Sequence, residues 1–199
     1  MAAGTAPSGW RFDAGRVCLD LLATGPGGGR EQLDSAARLA DWLLAAGLLP
    51  AGTGLAGVDE SWVTRFRQLR SALDRLLTAE LRGRREDDAL GRVNEAAAAA
   101  PPVPRAVRTK GGALVGTLGA APECGALLSV VARDAVTLLT DPAARSGLRR
   151  CEGDNCGRLY LDTSRGRRRR WCSSEVCGNR ERVARHRRRT ATTTPTPNT

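Results

Sequence analysis

Near the end of the chain, four cysteines stand as two pairs, Cys151-x4-Cys156 and Cys172-x4-Cys177, with fifteen residues between the pairs. Structural zinc takes four soft ligands in a tetrahedron, and two short loops are the usual way to deliver them. An x4 loop can turn back and aim both of its sulfurs at one ion. Gly153 and Asn155 in the first loop, and Gly178 beside the last cysteine, tolerate the tight backbone this requires. The spacing therefore points to one structural Zn²⁺ held by Cys151, Cys156, Cys172 and Cys177. A closed shell of this kind leaves no coordination position for water or substrate, which argues against metal catalysis. Cys18 and Cys124 lack paired spacing and read as core residues. His186 is the single histidine. It could stand in for a sulfur, but four cysteines already complete the shell, so it reads as solvent-facing or phosphate-contacting.

The same segment concentrates positive charge. The chain carries a net +10, and all but one of its bases are arginine, Lys110 being the exception. Residues 151–199 hold twelve arginines against five acids, +7 in total, which leaves only +3 for the first 150 residues. Arginines and backbone N–H groups stabilise a thiolate-rich centre, yet twelve are far more than such a centre calls for. Packing Arg167, Arg168, Arg169 and Arg170 in a row costs repulsion that a bound polyanion relieves. The module is too short to bury these side chains, so they should face solvent. After Gly178 the stretch NRERVARHRRR holds neither proline nor glycine. In a helix Arg182, Arg185 and Arg189 share one face, with Val183 and Ala184 opposite and free to pack on the metal core. Arginine serves phosphates for affinity and guanine for sequence choice, and Asn179 could read adenine in the same way. The expected nucleic-acid surface comprises Arg165, Arg167, Arg168, Arg169, Arg170, Asn179, Arg180, Arg182, Arg185 and Arg189.

These groups need a scaffold. With 199 residues, 41% hydrophobic and only 4% aromatic, the core must be built from Leu, Val and Ala, which favours helix. Residues 10–24 hold a compact apolar segment that could open as a strand and continue as a helix, which periodicity does not settle. Asp34 or Ser35 can cap a helix carrying Leu39, Trp42, Leu43 and Ala46, stopped by Gly47 and Pro50. Residues 60–82 place Trp62, Phe66, Leu69, Leu73, Leu76 and Leu77 on one stripe. A third helix over 87–99 ends at the prolines 101–104. Val107 and Thr109, then Leu114, Thr117 and Leu118, flank Gly111-Gly112 as a β-hairpin. Residues 124–140 return to helix until Asp141-Pro142. The expected organisation is a loose start (1–11), a mostly α domain with a small β-hairpin (α+β, 12–145), a treble-clef-like or knuckle-type zinc module followed by a basic helix (146–189), and a disordered tail (190–199). The two folded parts should have separate cores.

The stretch C-x4-CG-x-LY-x-D-x-SR-x4-RRWCS-x3-CGNR resembles the CGNR zinc fingers of bacteria, named for the tetrad that stands here as Cys177-Gly178-Asn179-Arg180. Residues 12–150 resemble, more loosely, the ABATE domain that precedes this finger. The matching residues are Leu19-Asp20 with Thr24, Leu39-x2-Trp42-Leu43, Leu69-Arg70, Asn94, and Asp134-Ala135-x2-Leu138-Leu139 just before Arg149-x-Cys151. Ala23 stands where that family often has Asn. Members are described as stress-linked transcription regulators, so the resemblance implies DNA binding through the finger and regulation through the front domain.

Three function classes follow. The first is a zinc-dependent regulator binding duplex DNA, whose front domain dimerises or senses a small-molecule effector, Asp20 and Thr24 being candidate pocket residues. The second is RNA binding, which wants stacking platforms where only Tyr160 and Trp171 are at hand. The third is an interaction module that docks arginines on an acidic protein. An enzyme is not expected: no catalytic spacing accompanies the lone histidine, and the GPGGG at 25–29 lacks the Lys-Ser/Thr of a phosphate loop. No apolar run of ~18 residues or export signal is read, so the expected compartment is the reducing cytoplasm, at the nucleoid.

Overall fold

The computed structural model describes residues 9–25 and 30–191. Most of the expected loose start and tail lies outside these residues, as does the GPGGG turn beyond Gly25. Trp10 and Arg11 were expected within that loose start and are instead tied down. The Trp10 ring is 1% exposed, its Nε1–H donates to Asp41 Oδ2 at 2.8 Å, and Arg38 stacks 4.0 Å over it.

Helix α1 (Val17–Leu22) resolves the ambiguous opening segment. It is only six residues long and has no side-chain cap of its own. A longer helix anchors it instead: Asp134 Oδ2 accepts from Cys18 N–H at 3.0 Å, and Asp134 also pairs with Arg16 at 2.8 Å. The carboxylate at the helix start satisfies an N–H that α1 itself cannot. Helix α2 (Ala36–Ala45) begins at Ser35, whose side chain accepts from Arg38 N–H. Helix α3 (Glu60–Leu81) is capped by Asp59, which takes the N–H groups of Ser61 and Trp62. Helices α4 (Asp87–Ala98) and α5 (Cys124–Thr140) pack closely on each other, and α3 lies against α4.

The apolar stripes meet as their spacing requires. Phe66, Leu69, Leu73, Leu76 and Leu77 of α3 are buried against Leu39, Trp42 and Leu43 of α2 and Leu127, Val131, Ala135 and Leu138 of α5. Trp42 meets Phe66 edge-on at 6.3 Å, whereas Trp62 is only half-buried. Each fully buried Leu contributes about 1.5–3 kcal/mol of transfer free energy. Strands β1 (Pro104–Arg108) and β2 (Leu114–Leu118) form the hairpin, antiparallel with Val107 opposite Val115. β1 is exposed along its whole length, so the hairpin adds little to the core.

After the short helix α6 (Pro142–Arg145), strands β3 (Leu148–Arg150) and β4 (Leu159–Leu161) pair antiparallel, with Arg149 opposite Tyr160. A π-helical turn over Ser174–Gly178 runs into helix α7 (Asn179–Ala191).

The two parts do not have separate cores. Leu148, Cys151, Leu159, Tyr160, Cys172 and Cys177 belong to one continuous buried cluster with the helical residues. The join is made by the segment preceding α1: Leu161 N–H donates to Ala14 O at 2.8 Å, so this segment lies along the outer edge of β4. Arg158 reaches across to the Ala23 carbonyl at 3.1 Å, and Arg150 to the Thr78 hydroxyl at 2.8 Å.

Gly147 sits at the hinge of this join. A Cβ there would lie 3.0 Å from the Asp162 carbonyl, 3.1 Å from Leu161 Cδ1 and 3.2 Å from the Ala144 carbonyl. Two of those neighbours are backbone and cannot swing aside, so Gly147→Ala should destabilise the chain by about 1–3 kcal/mol. Chemical denaturation of the variant beside the native chain checks this; an unchanged midpoint contradicts the packing described.

Candidate metal centre

The first cysteine pair lies on the knuckle between β3 and β4. Cys151 N–H donates to Arg158 O at 2.8 Å, and Cys156 N–H to Gly153 O at 3.1 Å, closing a tight loop. Asn155 takes φ 57°, the left-handed region that asparagine tolerates better than most residues. Gly153 is required for a different reason: a Cβ there would stand 3.2 Å from Cys177 Cβ and 3.5 Å from the sulfurs of Cys151 and Cys177. The second pair brackets the start of the terminal helix, Cys172 before the π-helical turn and Cys177 within it, with Ser173 Oγ accepting from Val176 N–H. Gly178 has no positive φ, and a Cβ there would make only ordinary contacts, so the backbone freedom expected of it is not used.

The four sulfurs converge. Cys156 and Cys172 are 3.7 Å apart, Cys172 and Cys177 are 3.6 Å apart, and all four Sγ atoms lie within 4.8 Å of one another. A tetrahedron with Zn–S bonds of about 2.3 Å has edges of about 3.8 Å, close to the two short spacings, so the donor set fits one zinc ion. Among the described residues this is the one such cluster. Cys18 and Cys124 lie buried elsewhere, and His186 is exposed on α7. Zn²⁺ held by these four cysteines would supply a cross-link and the charge that keeps the thiolates ionised. Burial and the neighbouring thiols push Cys172 well up and Cys177 up to about 11, whereas at Cys156 burial is outweighed by hydrogen bonds from the Arg158 N–H and the adjacent thiols, which hold it below the ordinary thiol value. Cys172 also accepts one stabilising contact and donates another. Arg11 Nη2 lies 3.9 Å from its sulfur, and its own N–H points at Cys151 Sγ at 3.3 Å.

The arginine row does not face solvent uniformly. Arg169 is half-buried, its guanidinium donating to the carbonyls of Trp171 (2.8 Å) and Cys172 and stacking 5.0 Å over Tyr160. Its role is to hold the backbone of the second pair, which corrects its place in the expected nucleic-acid surface. Tyr160 OH donates to the Arg169 carbonyl from the other side. Asp162 is buried and organises the same loop, accepting from Ser164 N–H and Arg169 N–H at 2.9 Å each. Burial alone would raise its carboxyl; the hydrogen bonds to Ser164 and Arg169 hold it below the ordinary value. Arg165, Arg167, Arg168 and Arg170 are exposed. Arg167 meets Ser146 Oγ, and Arg170 pairs with Glu152 at 2.6 Å. On α7, Arg180, Arg182, Arg185 and Arg189 are exposed, as is Asn179 at its start. Val183, expected to pack on the metal core, is 43% exposed. The helix leaves the body too early for its far side to be covered.

Asp20 and Thr24, the candidate pocket residues, are buried, and neither borders the cleft between α3 and the cysteine knuckle. Asp20 accepts from Ala14 N–H at 3.2 Å. Thr24 donates its hydroxyl to Leu21 O at 2.7 Å and accepts from Arg70, which also pairs with Glu31. Both are structural ties. The sequence offered no periodic signal for the cross-chain partners Asp134 and Arg158, whose roles appear only once α5 and the knuckle are folded against the opening segment.

A helical domain joined to a four-thiolate site at the foot of a terminal helix defines a zinc-binding regulator. The chain belongs to the ABATE family, described as "Putative stress-induced transcription regulator", matched over residues 15–142, and it carries a CGNR zinc finger over residues 148–190. Neither family is enzymatic. No curated protein matches the chain. No helix among the described residues is long and apolar enough to cross a membrane.

Two outcomes test this site. Cys156→Ser should bring zinc content well below one ion per chain by elemental analysis. Because the finger shares the buried cluster, it should also lower the unfolding midpoint of the helices followed by circular dichroism, whereas an unchanged helical transition would contradict the shared core. The second concerns Asp20, which burial raises from 3.8 to about 7 against the pull of the Ala14 N–H. The folded carboxyl holds its proton more tightly than the unfolded one, so its contribution is complete below pH ~4 and is lost as pH rises toward 7. Asp20→Asn keeps the acceptor and should flatten stability across that window.

Proposed function

We propose that the chain is a zinc-dependent, DNA-binding transcription regulator acting in the cytoplasm of a bacterium, at the nucleoid. The observation that carries this reading is the exposed arginine face of α7, set directly on the cysteine cluster. Arg182, Arg185 and Arg189 recur on one side of a helix that packs on the turn holding Cys177 and otherwise projects outward. Thirteen helical residues extend about 20 Å, and a helix is what the major groove of duplex DNA admits. Arg165, Arg167, Arg168 and Arg180 extend the footprint toward the phosphates, with Asn179 beside the base edges. In this reading residues 146–189 are the DNA-contacting unit and residues 12–145 the regulatory or dimerising unit. The zinc ion is structural, and no catalytic step is involved.

Duplex DNA is favoured over RNA because the aromatic residues near the arginines are occupied. Tyr160 is buried under Arg169, and Trp171 is half-buried with Arg170 over its face at 5.4 Å, which leaves no free platform for unstacked bases there.

Fluorescence anisotropy with labelled duplex across a salt series tests the reading. Neutralising about four to six phosphates should give a log–log slope near −4 to −5. Replacing Arg182, Arg185 and Arg189 together by Ala should reduce that slope by about 3 with zinc content unchanged. A slope that does not change with salt, or stronger capture of structured RNA than of duplex, overturns it.

A further inference from the structure

Between α3 and the cysteine knuckle lies a half-open cavity of about 1050 Å³. One wall is a single face of α3, carrying Arg67, Arg70, Ser71 and Asp74 at helical spacing; the other is the knuckle from Arg150 to Leu159. Six arginines line it: Arg11, Arg67, Arg70, Arg150, Arg158 and Arg180. Two of these are matched by carboxylates, Arg70 by Glu31 and Arg11 by Asp13. Three others are held chiefly by neutral acceptors. Arg67 Nε donates to the Leu33 carbonyl at 2.9 Å, Arg150 to the Gly157 carbonyl and the Thr78 hydroxyl, and Arg158 to the Ala23 carbonyl. The carboxylates nearest two of them, Glu31 to Arg67 and Asp13 to Arg158, are each 3.9 Å away. A carbonyl fixes the direction of a guanidinium without cancelling its charge, so these cations are pre-oriented and still positive. The acids in the walls are only Asp74 and Glu152, and Glu152 is engaged by Arg170.

We propose that this cleft binds a compact phosphorylated small molecule with at least two negative charges, of the pyrophosphate or nucleoside diphosphate class. The volume stands at the top of the range of small-molecule sites and is ample for a molecule of that size. Guanidinium forks suit phosphate oxygens, and Gln32, Ser71 and Asn155 supply neutral hydrogen-bonding groups for the remainder of the ligand. No aromatic side chain lines the cavity, so recognition works by charge and hydrogen bonds rather than stacking. The thiolates of the knuckle repel an anion, which therefore seats toward the α3 wall. Because that wall belongs to the ABATE part and the other to the finger, an occupant clamps the two together. Arg180, at the start of α7, also borders the cleft, which links its occupancy to the helix that carries the arginine face. The proposal does not rest on DNA binding.

The test is isothermal titration of the zinc-loaded full chain with pyrophosphate, then with adenosine diphosphate, at physiological salt. Saturable binding of one ligand per chain is expected. Ser71 and Asp74 are exposed on α3, so substitutions there preserve the fold. Ser71→Glu places a carboxylate in the wall and should weaken pyrophosphate by about tenfold or more; Asp74→Asn removes one and should tighten it about threefold. Opposite signs at neighbouring positions are not what misfolding produces. The variant lacking Arg182, Arg185 and Arg189 should bind pyrophosphate as the native chain does, even though its duplex affinity falls. Absence of saturable binding overturns the proposal. So does binding that ignores Ser71→Glu and disappears with the α7 arginines, which would place the anion on the basic helix. If the Ser71 and Asp74 variants shift duplex affinity while pyrophosphate fails to bind, the cleft serves a nucleic-acid backbone and the proposal is equally overturned.

Discussion

The convergence of four sulfurs on one point is the constraint from which the rest of the finger follows. Cys151 and Cys156 sit on a hairpin knuckle, and Cys172 and Cys177 at the foot of a helix; nothing in the local backbone of either would bring them together. The loop between them carries Arg165, Arg167, Arg168 and Arg170, whose charged side chains stay exposed. Such a loop stays in place only because both of its ends are tied and its middle is wired through Asp162, Tyr160 and Arg169. The charge problem and its answer are therefore local. The same arginine-rich stretch that pushes against itself supplies one guanidinium to stitch its own backbone, and the remaining ones stay outside.

The ABATE part and the finger depend on each other through polar contacts that flank an apolar join. Trp10 is anchored to α2, Ala14 lends its carbonyl to β4, and Arg158 reaches back to the end of α1. None of these contacts is strong alone, since an ordinary hydrogen bond nets about 0.5–1.5 kcal/mol. Together with the buried Leu148, Leu159 and Tyr160 they join two modules through one continuous buried cluster. The cleft between α3 and the knuckle is a consequence of that geometry, because the two walls touch at one edge and stand apart at the other.

Sequence spacing was sufficient for the features that repeat at short range. The stripe of Phe66, Leu69, Leu73 and Leu76, the cap at Ser35, the hairpin at Gly112 and the paired cysteines all express periodicities or turn chemistry within a few residues, and they fold as expected. What escaped was set at long range. Whether Val17–Leu22 is strand or helix depends on Asp134, far along the chain, offering its carboxylate at the right end. Arg169 looks like its neighbours in a run of four, and only the position of Tyr160 singles it out for the interior. Asp20 and Thr24 look like pocket residues by type, but their polar atoms are consumed by adjacent backbone and by Arg70.

The contact of Arg11 with Cys172 joins residues 161 positions apart. The segment before α1 can therefore meet its partner only once the second cysteine pair is in place, a contact of a sequence separation that folding reaches late. Its Trp10 and Phe12 are held against α2 instead, Trp10 by Asp41 and Arg38 and Phe12 beside Trp42, independently of that late contact. Closing so long a loop costs entropy, and an ion held by Cys172 would offset part of that cost at the edge of the same seam.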